Sequence, residues 1–126
     1  MKLLLDSHAA YWWLGGIPLL SKRARQAIQE AGPNDVHFSP ASVYELELKM
    51  SAGKMTRLPS PFLELARSQS FVELPIRSVH ADLAARFPPL NKDPWDRVLA
   101  AQAISENMSI VTRDARISAL GATVLW

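Results

Sequence analysis

The chain has 126 residues, no cysteine, 48% apolar and 21% charged residues, and a formal net charge of +2. Disulfides and thiolate metal sites are excluded, so any metal must be held by oxygen or histidine ligands. The opening run Leu3-Leu4-Leu5 is far too short for a signal peptide or a membrane span. The expectation is a cytoplasmic protein with no membrane association, folded as one domain over 1–126.

Lys2 to Leu5 is an apolar run ending in Asp6, which reads as a buried strand. His8 to Leu14 carries two adjacent tryptophans and stops at Gly15-Gly16, a short helix with a glycine terminator. Ser21 caps a helix to Ala31, with Ala24, Ala27 and Ile28 on one face and charges on the other. Val36 to Phe38 is a second strand. Ser39-Pro40 then starts a helix to about Ser51, closed by Gly53.

Phe62 to Ser68 is the next helix, Phe71 to Leu74 a strand, and Ser78 to Phe87 a helix stopped by Pro88-Pro89. A helix from Pro94 to about Glu106 follows, with Asp93 as its cap, Asp96 in its first turn and an apolar stripe behind. Ser109 to Thr112 reads as a strand that delivers Arg113-Asp114, and Thr123 to Leu125 as a last short strand. Short apolar strands alternating with amphipathic helices imply an α/β fold of three layers, a central parallel sheet flanked by helices.

In such sheets ligands gather outside the carboxyl ends of the strands, where the chain order reverses. Asp6 and Asp114 each end a strand, Asp93 and Asp96 open a helix facing the same rim, and Glu45 lies on the helix after the second strand. Each acid has a plainer role open to it. Asp93 and Asp96 suit any helix start, Asp6 and Asp114 suit loop openings, and Glu45 can form a capping box with Ser42 or an ion pair with Lys49. Gathered together, however, carboxylates repel and raise one another's pKa values, and a divalent cation such as Mg²⁺ or Mn²⁺ resolves that conflict. No glycine-rich phosphate loop or serine nucleophile elbow competes, and His8, His37 and His80 have no metal-ligand spacing.

Four blocks then carry a resemblance. Leu3-Leu4-Leu5-Asp6-Ser7-His8, Ser42 to Lys49, Asp93-Pro94-Trp95-Asp96-Arg97 and Thr112-Arg113-Asp114 resemble, in order and spacing, the PIN-domain ribonucleases, specifically the VapC-type toxins of type II toxin–antitoxin pairs. The resemblance implies a catalytic acidic set of Asp6, Glu45, Asp96 and Asp114. It implies an Mg²⁺ or Mn²⁺ site on Asp6, Asp96 and Asp114, with Asp93 as a further ligand. Ser7 and Thr112 hold hydroxyl positions that accompany the first and last acids, and they are expected, with Arg97 and Arg113, to contact substrate. The resemblance also implies RNA as substrate, a homodimer, and a cognate antitoxin as partner. Tyr44 departs from the pattern where tryptophan is frequent, and it keeps the position aromatic.

The chemistry expected is metal-assisted hydrolysis of an RNA phosphodiester, with water attacking in line. Arg97 and Arg113, with Arg116 and Lys92, flank the acids in sequence as candidate contacts to the RNA backbone. Trp12, Trp13 and Trp95 are candidates for stacking on unpaired bases, although tryptophans on apolar helix faces more often serve core or interface packing. An antitoxin helix is expected in an apolar groove near Trp12–Trp13 or the Phe62–Ala66 helix. The rival reading is a phospho-receiver or a non-catalytic interaction module. A receiver wants paired acids after the first strand, and here Asp6 is followed by Ser7-His8.

Overall fold

The computed structural model describes residues 1–126. Five strands, β1 (Leu3–Leu5), β2 (Val36–Phe38), β3 (Val72–Glu73), β4 (Ser109–Val111) and β5 (Val124–Leu125), form one parallel sheet in the order β3-β2-β1-β4-β5. Seven helices surround it: α1 (Ser7–Leu14), α2 (Lys22–Glu30), α3 (Pro40–Ser51), α4 (Phe62–Ser68), α5 (Ser78–Arg86), α6 (Pro94–Ser105) and α7 (Ala115–Ser118). No helix is long and apolar enough to cross a membrane.

Because side chains alternate along a strand, β1 feeds two cores at once. Leu3 and Leu5, with Phe38 and Val111, pack among Ala9, Trp12, Ala24, Leu46 and Phe62 from α1 to α4. Leu4 and Ile110 face the opposite side, against Leu99, Ala100 and Ala103 of α6 and Ile117 of α7. All three leucines are essentially inaccessible, which is why the run is apolar without alternation.

The chain grows outward from β1 through β2 to β3, then returns to the other side of β1 to lay down β4 and β5. The reversal point therefore lies between β1 and β4, paired Leu5 to Val111. Asp6 follows one of these strands and Thr112 to Asp114 the other, which puts both at the crevice where an open α/β sheet binds ligands.

Most expected elements stand within a residue or two of their expected ends. The last turn, α7, was not anticipated. It is four residues long, too short for an apolar period, and only its cap Asp114 marks it in the sequence.

Candidate active site

Three of the five acids are helix N-caps. Asp6 Oδ1 accepts from Ala9 N–H at 2.7 Å at the start of α1. Asp93 Oδ1 accepts from Trp95 N–H at 2.9 Å and from Asp96 N–H at 3.4 Å at the start of α6. Asp114 Oδ1 accepts from Arg116 N–H at 2.9 Å at the start of α7. The plain helix-start role is thus real. It does not compete with a site, because in Asp6 and Asp93 a cap commits one oxygen and fixes where the carboxylate points.

Small polar residues hold the acids in turn. The Thr112 side chain stands beside Asp6 and favours its ionised form, and its Oγ1 accepts from Asp114 N–H at 3.0 Å, so one buried side chain bears on the acids that follow β1 and β4. Ser7 Oγ lies 2.7 Å from Glu45 Oε1 and 3.0 Å from Ser42 Oγ. With one proton each, Ser7 donates to the carboxylate and accepts from Ser42. Lys49 pairs with the other Glu45 oxygen at 2.8 Å, as the i,i+4 spacing predicts. The start of α3 falls to Ser39, whose hydroxyl accepts from Ala41 N–H, so Ser42 and Glu45 form no capping box.

Ser7 and Thr112 are buried, and their hydroxyls are turned onto the acids. The structure gives them carboxylate-positioning contacts in place of the substrate-facing role expected. Arg97 is also corrected. Its guanidinium donates to the carbonyls of Ala84, Pro88, Asn91 and Phe87 at 2.6 to 3.1 Å and lies over the Phe87 ring. Four carbonyls, one from α5 and three from the loop after it, take four of the five N–H groups, so Arg97 ties the α5–α6 connection to α6. Arg113 and Arg116 are exposed.

Asn91 organises the site in a way the sequence gave little sign of. Buried, it donates Nδ2–H to Asp96 Oδ2 at 3.1 Å while its Oδ1 accepts from Asp93 N–H at 3.0 Å. An asparagine before an Asp-Pro helix start reads as ordinary turn chemistry, which concealed this role.

Burial pushes the Asp6 carboxyl above its ordinary range, against the Thr112 side chain, the Ala9 hydrogen bond and the His8 charge, with the nearby Asp114 charge adding to the rise. Burial likewise raises Asp96, and the charges of Asp93 and Asp114 add to it. Asp114 goes the other way, because Arg116 clamps it at 2.9 Å and 3.1 Å. The acids therefore sit close enough to feel one another's charge. No three acidic or histidine side chains converge tightly enough to enclose a cation by themselves. By its chemistry, an all-oxygen donor set with no thiolate or paired imidazole matches a hard cation that keeps several waters in its shell, as Mg²⁺ does.

The PIN domain family profile matches residues 3–122. This chain belongs to the PIN domain family. The chain is 34% identical over 119 residues to Ribonuclease VapC22 of Mycobacterium tuberculosis, covering 91% of this chain and 88% of that protein. VapBC2 from Rickettsia felis, solved bound to a DNA fragment from its promoter, superposes with a TM-score of 0.72 at 14% identity, covering 100% of this chain and 99% of that one. A toxin–antitoxin complex from Klebsiella pneumoniae gives 0.69 at 18% identity, covering 99% and 97%. The PIN fold expected from the four sequence blocks is the fold observed, and the family profile spans Asp6, Glu45, Asp93, Asp96 and Asp114.

Proposed function

We propose that this PIN domain is an Mg²⁺- or Mn²⁺-dependent endoribonuclease, the toxin of a toxin–antitoxin pair, acting in the cytoplasm on RNA. The observation that carries the reading is the set of carboxylates at the sheet's reversal point, raised by burial at Asp6 and Asp96 and mutually charged. Holding acids unfavourably ionised costs stability, and a cation gives the cost a purpose.

Asp6, Asp96 and Asp114 would hold the cation, with Asp93 contributing its uncapped oxygen. A bound divalent cation would supply Lewis-acid stabilisation of charge on the phosphate and favour ionisation of water. The chain's own residues do the remainder. Glu45, fixed by Ser7 and Lys49, orients the attacking water. Asn91 holds Asp96 by Oδ2 and leaves Oδ1 free to take a cation. Arg113, exposed beside Asp114, draws the RNA backbone to the acids. Attack by water leaves a 5′-phosphate and a 3′-hydroxyl.

The relatives' names support an antitoxin partner, and an open groove beside Trp13, Ile17, Pro18 and Leu20 offers apolar surface near one of the two places expected. The other place, the Phe62–Ala66 helix, sinks Phe62 and Ala66 into the protein's own core and leaves Leu63 and Leu65 partly exposed. A homodimer completes the proposed assembly. The deciding experiment is cleavage of total RNA with Mg²⁺ by wild type and Asp96→Asn, with sequencing of the new ends. The reading expects loss of cutting in the variant, and undiminished cutting would overturn it.

A further inference from the structure

A cavity of about 330 Å³ opens directly beside the acids, at the low end of small-ligand pockets. Asp6 and Asp114 line it. His8, Trp12 and Trp126 also line it, together with Arg113 and Arg116. These residues come from α1, from the segment after β4 and from the residue after β5, so three neighbouring strand ends build it together.

The aromatic wall has an internal order. Trp12 is buried and serves as the base of the cluster, with Trp126 edge-on at 6.0 Å and His8 tilted at 5.7 Å. Arg113 lies over the Trp12 ring at 4.7 Å and lines the cavity as well. Trp126 is only half-buried and His8 is exposed, so they offer π-surface to an occupant. Core packing does not call for an exposed histidine and a stacked arginine in this place.

A flat apolar wall beside a cation, bordered by the acids that would act on phosphate, fits a planar group carrying an anion. Resting on the endoribonuclease reading, we propose that this cavity receives the base of one unpaired RNA nucleotide. The base stacks on Trp126, His8 and the Arg113 plane, and its phosphate lies toward Asp6 and Asp114. Single-stranded RNA is read in this manner, by splayed bases on aromatic and guanidinium planes. The structure separates this wall from two tryptophans the sequence put forward beside Trp12. Trp13 donates to Gln69 at 3.2 Å on the other flank, and Trp95 packs on Tyr44 at 5.4 Å.

The test is binding of short single-stranded RNA homopolymers of each base, against an abasic ribose-phosphate chain of equal length. Fluorescence anisotropy of a labelled strand and intrinsic tryptophan quenching are read in chelator, so that no cutting occurs. Wild type should bind the base-bearing strands about tenfold more tightly than the abasic chain. Trp126→Ala should abolish that difference and part of the quenching, while Trp126→Phe retains the difference. Should Trp126→Ala fail to fold, His8→Ala, at an exposed position, should narrow the difference. Equal affinity for abasic and base-bearing chains, or an unchanged preference in folded Trp126→Ala, overturns the pocket. The outcome stands apart from the nuclease reading: cutting that depends on Asp96 but binding that ignores bases sinks the pocket alone. Cutting that ignores Asp96 sinks the nuclease reading.

Discussion

The Ser7 hydroxyl donates to Glu45 Oε1 across 2.7 Å, joining the first turn of α1 to the middle of α3. Glu45 is thereby bound to the strand end that carries Asp6, though the two acids are far apart in sequence. Ser7→Ala removes that link and leaves Glu45 to Lys49 alone. The expected outcome is a fall in RNA cleavage of about tenfold, if the lost bond is worth roughly 1–1.5 kcal/mol in holding the carboxylate. Thermal stability should fall by no more than about 1 kcal/mol. Single-turnover cleavage and a melt on the same preparation separate the two effects.

Asp6 is a charge held where the fold disfavours it. Its folded pKa is raised by burial, so stability is highest where it is protonated in both states and declines as pH rises through the folded value. Asparagine keeps the cap on Ala9, since Asn and Asp cap about equally well. Asp6→Asn should therefore melt higher than wild type in chelator, with a gap absent at acid pH and growing toward neutrality. Added Mg²⁺ should stabilise wild type and narrow the gap. Melts across pH, with and without metal, check both signs; a variant that melts lower at neutral pH contradicts the assignment.

Arg116 competes for Asp114. Its guanidinium takes both oxygens, at 2.9 Å and 3.1 Å, and holds the carboxyl below its ordinary range. Arg116→Ala should let the Asp114 carboxyl titrate higher, visible by carboxyl-carbon NMR. It should also strengthen Mg²⁺ binding several-fold, because the cation no longer displaces a fixed positive charge. If Arg116 also meets RNA, the salt slope of binding should flatten by about 0.7, the value of one single-strand phosphate contact.

Arg97 is a structural clamp. Truncation to alanine strands four carbonyl acceptors and the Phe87 contact, at an expected cost of about 2–4 kcal/mol. Lysine should rescue little, because a single ammonium cannot span a fork-shaped set of acceptors. Denaturant melts of Arg97→Ala and Arg97→Lys provide the measurement. Unchanged melts with weakened RNA binding would return Arg97 to the role its sequence position first suggested.

Much of the architecture was legible before any coordinates. Leu3-Leu4-Leu5, the Ser39-Pro40 and Asp93-Pro94 helix starts, and the alternation of short strands with longer helices give the element order and the parallel sheet. They do so because period, cap and breaker are local properties, written within a few residues of where they act. The acids could be named for the same reason, and their spacing matched a family.

What the sequence could not carry is which polar residues face outward. Ser7, Thr112 and Arg97 look like substrate contacts when written beside acids, yet each is turned inward by partners from remote segments: Glu45, Asp6 and the α5–α6 loop. Asn91 and Trp126 were passed over for the converse reason. Their importance comes from neighbours that the folding of β4, β5 and α6 brings to them. Local composition fixes the elements and the chemical repertoire of this protein. Only the crossing of the chain over its own first strand decides which groups meet, because hydrogen bonds and charge–charge energies depend on distance in space and not along the chain.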